Sequence, residues 1–66
     1  MSEYIEIGGH TYEVEEDRRV FDIVGGVYVT RDDGETASAT VQNQSDEEEW
    51  KQAVMRAIFK IINGED

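Results

Sequence analysis

Ser45-Asp46-Glu47-Glu48-Glu49-Trp50-Lys51-Gln52-Ala53-Val54-Met55-Arg56-Ala57-Ile58-Phe59-Lys60-Ile61-Ile62-Asn63-Gly64 is the stretch that decides the fold. Trp50, Ala53, Val54, Ala57, Ile58, Ile61 and Ile62 recur at helical spacing and make one apolar stripe. Ser45 is a good N-cap, and Glu48 three residues later completes a capping box. Asn63-Gly64 supplies the left-handed residue that ends a helix. The spacing predicts a helix over about 46–63, close to 27 Å long. Its apolar arc is broader than one buried stripe, because Met55 and Phe59, four residues apart, extend it beyond Ile62. Met55, Phe59 and Ile62 are therefore candidates for an apolar interface. The competing reading has them completing a core over a strongly curved sheet. Trp50 begins the central stripe and is assigned to the core.

Upstream the period changes from helical to two, the mark of half-buried strands. Ile5 and Ile7 share one face, with Tyr4 and Glu6 on the other. Gly8-Gly9 fits a tight hairpin turn. Tyr12 and Val14 then alternate with Thr11, Glu13 and Glu15. A polar corner, Glu16-Asp17-Arg18-Arg19, leads to an expected strand Val20-Phe21-Asp22-Ile23-Val24. Gly25-Gly26 between two β-branched runs reads as a second hairpin turn into Val27-Tyr28-Val29-Thr30. Asp32-Asp33-Gly34 makes the next turn, and residues 36–42 alternate Ala37, Ala39 and Val41 with Ser38, Thr40 and Gln42. The small Ala37 and Ala39 predict close approach by another element. The fold class is α+β: one domain over 1–66, a small antiparallel β-meander of about five short strands within 3–42, covered by one C-terminal helix. The sheet is expected either curled or flatter with the helix on one face.

This order of elements resembles SH3-like barrels with a C-terminal helix, as in small chromatin proteins of thermophilic archaea. The resemblance covers the whole chain in element order and carries no shared motif. It implies an architecture only, since those proteins are basic and bind DNA.

The charge here is opposite. Sixteen acidic residues stand against six basic ones among 66, a formal charge of −10. Solubility of a small domain needs a net charge of only about 2 to 8 in magnitude, and self-repulsion weakens the compact state. Such an excess calls for a use. Anionic membranes and free nucleic acid would repel the chain. A basic protein surface would attract it.

Other chemistries find little support. With no cysteine, disulfides and thiolate zinc sites are excluded. No apolar run of membrane-spanning length exists. The N-terminus lacks the apolar core of a signal peptide, so a cytoplasmic protein is expected, and the Asn43-Gln44-Ser45 glycosylation pattern is read as unused. Ser2, Ser38 and Ser45 belong to terminus, strand and cap, and His10 lies beside a glycine turn, so no nucleophile, base and orienting acid come together. No enzyme and no cofactor are expected. Read back from Gly34, a calcium loop would need ligands at Val29 and Arg31 and a glutamate at Thr40, so that pattern fails and no metal site is expected.

The acids cluster as Glu13, Glu15, Glu16 and Asp17; as Asp32, Asp33 and Glu35; as Asp46 to Glu49; and as Glu65 with Asp66. The third cluster suits a helix's first turn, where negative charge is favoured by the macrodipole. Glu13 and Glu15 project from the same face of one strand, about 6.6 Å apart. Together with Glu16, Asp17, Asp32, Asp33, Glu35, Glu48 and Glu49 they form the candidate acidic surface for a partner. The favoured function is a small acidic binding protein that occupies the nucleic-acid site of another protein. Small phage and mobile-element inhibitors, among them anti-CRISPR and anti-restriction proteins, look like this in size and acidity. The alternatives are a structural or assembly subunit, or a homodimer, docking through the helix, and a halophilic domain whose acidity serves solubility.

Overall fold

A computed structural model of the chain describes residues 2–18 and 24–64. It is an α+β fold: an antiparallel sheet of four strands in the order β1-β2-β3-β4, followed by one helix. The strands are β1 (Ser2–Ile7), β2 (His10–Asp17), β3 (Gly25–Arg31) and β4 (Thr36–Val41), and the helix is α1 (Glu47–Asn63). Sequence order and spatial order coincide, as in a meander. The sheet is open, with β1 and β4 at its two edges, so it is not a closed barrel.

The described strands number four, not five. The expected strand Val20–Val24 lies outside the described residues except for Val24, which belongs to no strand. The Gly25-Gly26 pair is not a turn. It opens β3, with Gly25 opposite Val41 and Gly26 opposite both Asp17 and Thr40. Neither glycine has positive φ, unlike Gly8 and Gly9 at 59° and 82°, which do form the β1–β2 turn. Gly25 is required for a different reason. A Cβ there would stand 2.8 Å from the Trp50 ring and 3.0 Å from the Asp17 carbonyl oxygen. Absence of a side chain lets Trp50 press against the strand.

Register assigns each strand residue to a face. Ile5, Ile7, Tyr12, Val14, Val27, Val29, Ala37, Ala39 and Val41 share the inner face. Tyr12, Val14, Val27, Val29, Ala39 and Val41 are buried there with Trp50, Ala53, Ala57, Ile58 and Ile61 of α1. Ile5, Ile7, Ala37 and Val54 pack around this cluster, half-buried. Small residues meet where helix and sheet lie closest: Ala53 and Ala57 are fully buried in the same core as Ala39, which lets α1 settle onto β3 and β4. Burial of this apolar surface is the main stabilising contribution. The Trp50 indole N–H donates to the Gln44 carbonyl at 2.9 Å, so its polar atom is satisfied at the core's edge.

The helix begins one residue later than the capping-box pattern implies. Asp46, not Ser45, is the N-cap, and its carboxylate accepts the Glu48 N–H at 3.0 Å. Ser45 instead donates its backbone N–H to the Asn43 side chain. Gly64 closes the helix in the left-handed conformation, with φ 70°. Among the described residues no helix is long and apolar enough to cross a membrane.

Candidate functional site

The outer face of the sheet carries what the inner face excludes. By register it displays Tyr4 and Glu6 on β1; Thr11, Glu13, Glu15 and Asp17 on β2; Gly26, Tyr28 and Thr30 on β3; and Thr36, Ser38 and Thr40 on β4. Four are acidic and none is basic. Glu13, Glu15 and Asp17 succeed one another along β2, with about 6.6 Å between neighbours set by the strand repeat. That is about twice the axial rise per phosphate of one DNA strand, so the row has roughly half its linear charge density.

Two tyrosines flank the row. Tyr4, 68 % exposed, donates its hydroxyl to Glu13 at 3.2 Å. The hydrogen bond and charge of Glu13 push the Tyr4 phenol above its ordinary value, so it stays a neutral donor. Tyr28, 51 % exposed, lies across from Glu15. Beside it Gly26 leaves a shallow depression of about 430 Å³, walled by Glu15 and Asp17 on one side and Ser38 and Thr40 on the other. Sequence reasoning missed both tyrosines, although each falls on the polar phase of its strand's alternation.

The row is extended at one end by the β3–β4 turn. Asp32 accepts the Thr11 N–H at 3.0 Å and contacts His10 Nδ1 at 2.9 Å. Those two bonds, the backbone one first, lower its carboxyl below the usual range. Asp33 is clasped by Arg31, Nη2 to carboxylate 2.7 Å, and also accepts the Glu35 N–H. The Arg31 hydrogen bond is the larger cause that brings the Asp33 carboxyl down to about 2. Asp32 and Asp33 are thus ionised and fixed, and partly neutralised by their neighbours. Glu35 lies exposed in the same turn.

Three of the predicted acids lie elsewhere. Glu16 has the inner-face phase of β2 and pairs with Arg18, Nη2 to Oε2 2.6 Å. Arg18 also reaches Glu47 at 3.0 Å and stacks over the Trp50 ring, 4.2 Å from its centroid. That arginine ties the end of β2 to the start of α1. Glu49 is not displayed to solvent as a bare charge; it accepts the backbone N–H groups of Gln42 and Asn43 at 2.8 and 2.9 Å. Glu48 is exposed on α1, 3.6 Å from Lys51. Glu48 and Glu49 sit on the helix layer, across the sheet from Glu13 and Glu15.

The apolar candidates stand apart again. Met55, Phe59 and Ile62 are 39, 51 and 46 % exposed on the solvent side of α1 and do not complete the core. Among the described residues no three of His, Cys, Asp and Glu converge on a metal-sized centre, and no polar or charged side chain is buried. No family model matches the chain, and neither a curated protein nor a solved structure does.

Proposed function

We propose that this protein is a small, non-catalytic acidic binder that occupies the nucleic-acid site of a basic protein, using the outer face of its sheet. The observation that carries the reading is charge segregation: that face holds Glu6, Glu13, Glu15 and Asp17 and, among the described residues, no lysine or arginine. The described cations are placed elsewhere, Arg18 and Arg31 in clasps with acids and Lys51, Arg56 and Lys60 on α1. Carboxylates on this sheet face would meet the Arg and Lys side chains that otherwise hold phosphates, and Tyr4, Tyr28 and the threonine hydroxyls add hydrogen-bonding partners. Complementary fields speed encounter, and the affinity falls with salt. Inhibitors carried by phages or mobile elements against CRISPR or restriction systems are the class this reading favours, with the host cytoplasm as its compartment.

The test is capture from a host lysate. The wild-type protein is expected to retain nucleic-acid-binding proteins that elute with salt and that competing duplex DNA prevents from binding. Glu13→Gln/Glu15→Gln should release them at lower salt. Prey retained equally well in the presence of DNA, or equally by the double variant, would overturn the reading.

A second reading, an assembly subunit docking through α1, draws on the exposure of Met55, Phe59 and Ile62. Sizing over a range of concentrations decides it: self-association unchanged by Met55→Glu/Phe59→Glu removes the helix as the interface.

A further inference from the structure

The two edges of the sheet are finished differently. On β4 the outward carbonyls of Ser38 and Thr40 accept from Lys60 Nζ at 2.8 Å and Arg56 Nη2 at 3.0 Å. Two cations from α1 thereby occupy an edge that would otherwise template pairing with another chain. Among the described residues β1 has no such cover. Its described side chains engage no backbone, and no described side chain bonds to its backbone.

The hairpin fixes which β1 groups are free. Gly8 and Gly9 both have positive φ, the type I′ arrangement that closes on a hydrogen-bonded pair, here Ile7 and His10. Alternation then makes Ile5–Tyr12 and Glu3–Val14 the other bonded pairs. The N–H and C=O groups of Tyr4 and Glu6 consequently point away from the sheet.

We infer that β1 is a docking edge that accepts an extended basic segment of another protein as a fifth strand. The two sides of β1 state the chemistry of that segment. Toward the outer face its side chains are Tyr4 and Glu6, and the Glu6 carboxylate asks for lysine or arginine. Toward the inner face they are Ile5 and Ile7, half-buried because α1 lies over β3 and β4 instead. A groove of about 340 Å³ runs there, lined by Ile5, Trp50, Val54 and Met55 together with the charged Glu3, Glu16, Arg18, Glu47 and Lys51; its apolar members ask for apolar side chains. Alternating basic and apolar residues satisfy both sides, with main-chain bonds supplying affinity. A second copy is the wrong occupant, since each carries a charge of −10 and β1 contributes Glu3 and Glu6 with no cation. This inference uses backbone groups of β1 and does not rest on the proposed role of Glu13 and Glu15.

The probe is a roughly ten-residue peptide alternating Lys and Val, read by amide hydrogen exchange of the full chain. Exchange at Tyr4 and Glu6 should slow by about tenfold or more on binding, in wild type and in Glu13→Gln/Glu15→Gln alike. Glu6→Pro removes an outward N–H and no bond to β2, so the fold is retained while binding falls by about tenfold or more. Glu3→Lys/Glu6→Lys, which leaves the backbone intact, should lose the peptide as well. A peptide with Glu in place of Lys, or with alternate N-methylated amides, should not bind. Equal binding by Glu6→Pro or by either control peptide, protection confined to residues outside β1, or protection of β1 through dimerisation without peptide would each overturn the inference.

Discussion

At Gly25 one missing methyl sets the distance between β3 and the Trp50 ring. An alanine Cβ would meet that ring at 2.8 Å and backbone at 3.0 Å, and the backbone cannot move aside without disturbing the pairing with Asp17's strand. Gly25→Ala should therefore cost about 1–3 kcal/mol, the ordinary range for overpacking. At Gly26 the nearest atom to such a Cβ is 3.9 Å away and φ is not positive, so Gly26→Ala should fall within about 0.5 kcal/mol of wild type. Urea melts of the two variants check the contrast; equal losses would refute it. Asp33 offers a second single-residue test. Its carboxyl is held at about 2 in the fold, against an ordinary 3.8, chiefly by Arg31. A lowered folded-state value means the clasp's contribution is complete above about pH 4 and is lost as the pH falls through about 2. Melting temperature should decline over that window, and less steeply in Asp33→Asn. Parallel curves for the two proteins would show that the clasp adds nothing.

The helix start belongs to the scale of the element. Asp46 accepts from the Glu48 N–H, whereas the Ser45 hydroxyl has no part in the cap. Asp46→Ala should thus destabilise the protein by about 1 kcal/mol and Ser45→Ala by almost nothing, measured by thermal or urea unfolding. The opposite order would restore the serine cap. That one-residue slip illustrates what a sequence makes legible. The periodicity of α1 and the alternation of β1, β2 and β4 placed Ile5, Ile7, Tyr12, Val14, Trp50 and Ile58 on their correct faces, because burial enforces those patterns directly. Gly25-Gly26 misled because glycine answers two different demands, positive φ and close approach, and only the position of Trp50 tells them apart. For the acids, period two separated Glu13 and Glu15 from Glu16, which points inward; treating residues 13–17 as one cluster ignored that alternation. The Arg18–Glu47 link joins residues 29 apart in the chain, and no local pattern announces it. The exposure of Met55 and Phe59 depended on how far α1 covers the sheet, which is a property of packing rather than of spacing.

For the whole molecule the charge of −10 is a standing opposition to folding. Its outer face concentrates that opposition, since Glu6, Glu13, Glu15 and Asp17 lie on two neighbouring strands whose described outer-face residues include no cation. If those carboxylates serve a partner, the fold carries them at a loss, and removing them should stabilise it. Glu13→Gln/Glu15→Gln is expected to melt at a higher temperature than wild type at low ionic strength, even though Tyr4 gives up a charged acceptor. Added salt should narrow the gap, because screening at about 0.15 M shortens the reach of exposed charges to about 8 Å. Wild type itself should gain stability over that range and then level off. A halophilic domain would behave otherwise, continuing to gain into multi-molar KCl. Melting both proteins from about 10 mM to about 3 M KCl separates the cases, since ordinary screening is nearly spent by about 1 M. A double variant less stable than wild type at every salt concentration would mean that the outer-face carboxylates hold the sheet together, and the case for their being kept for a partner would fail.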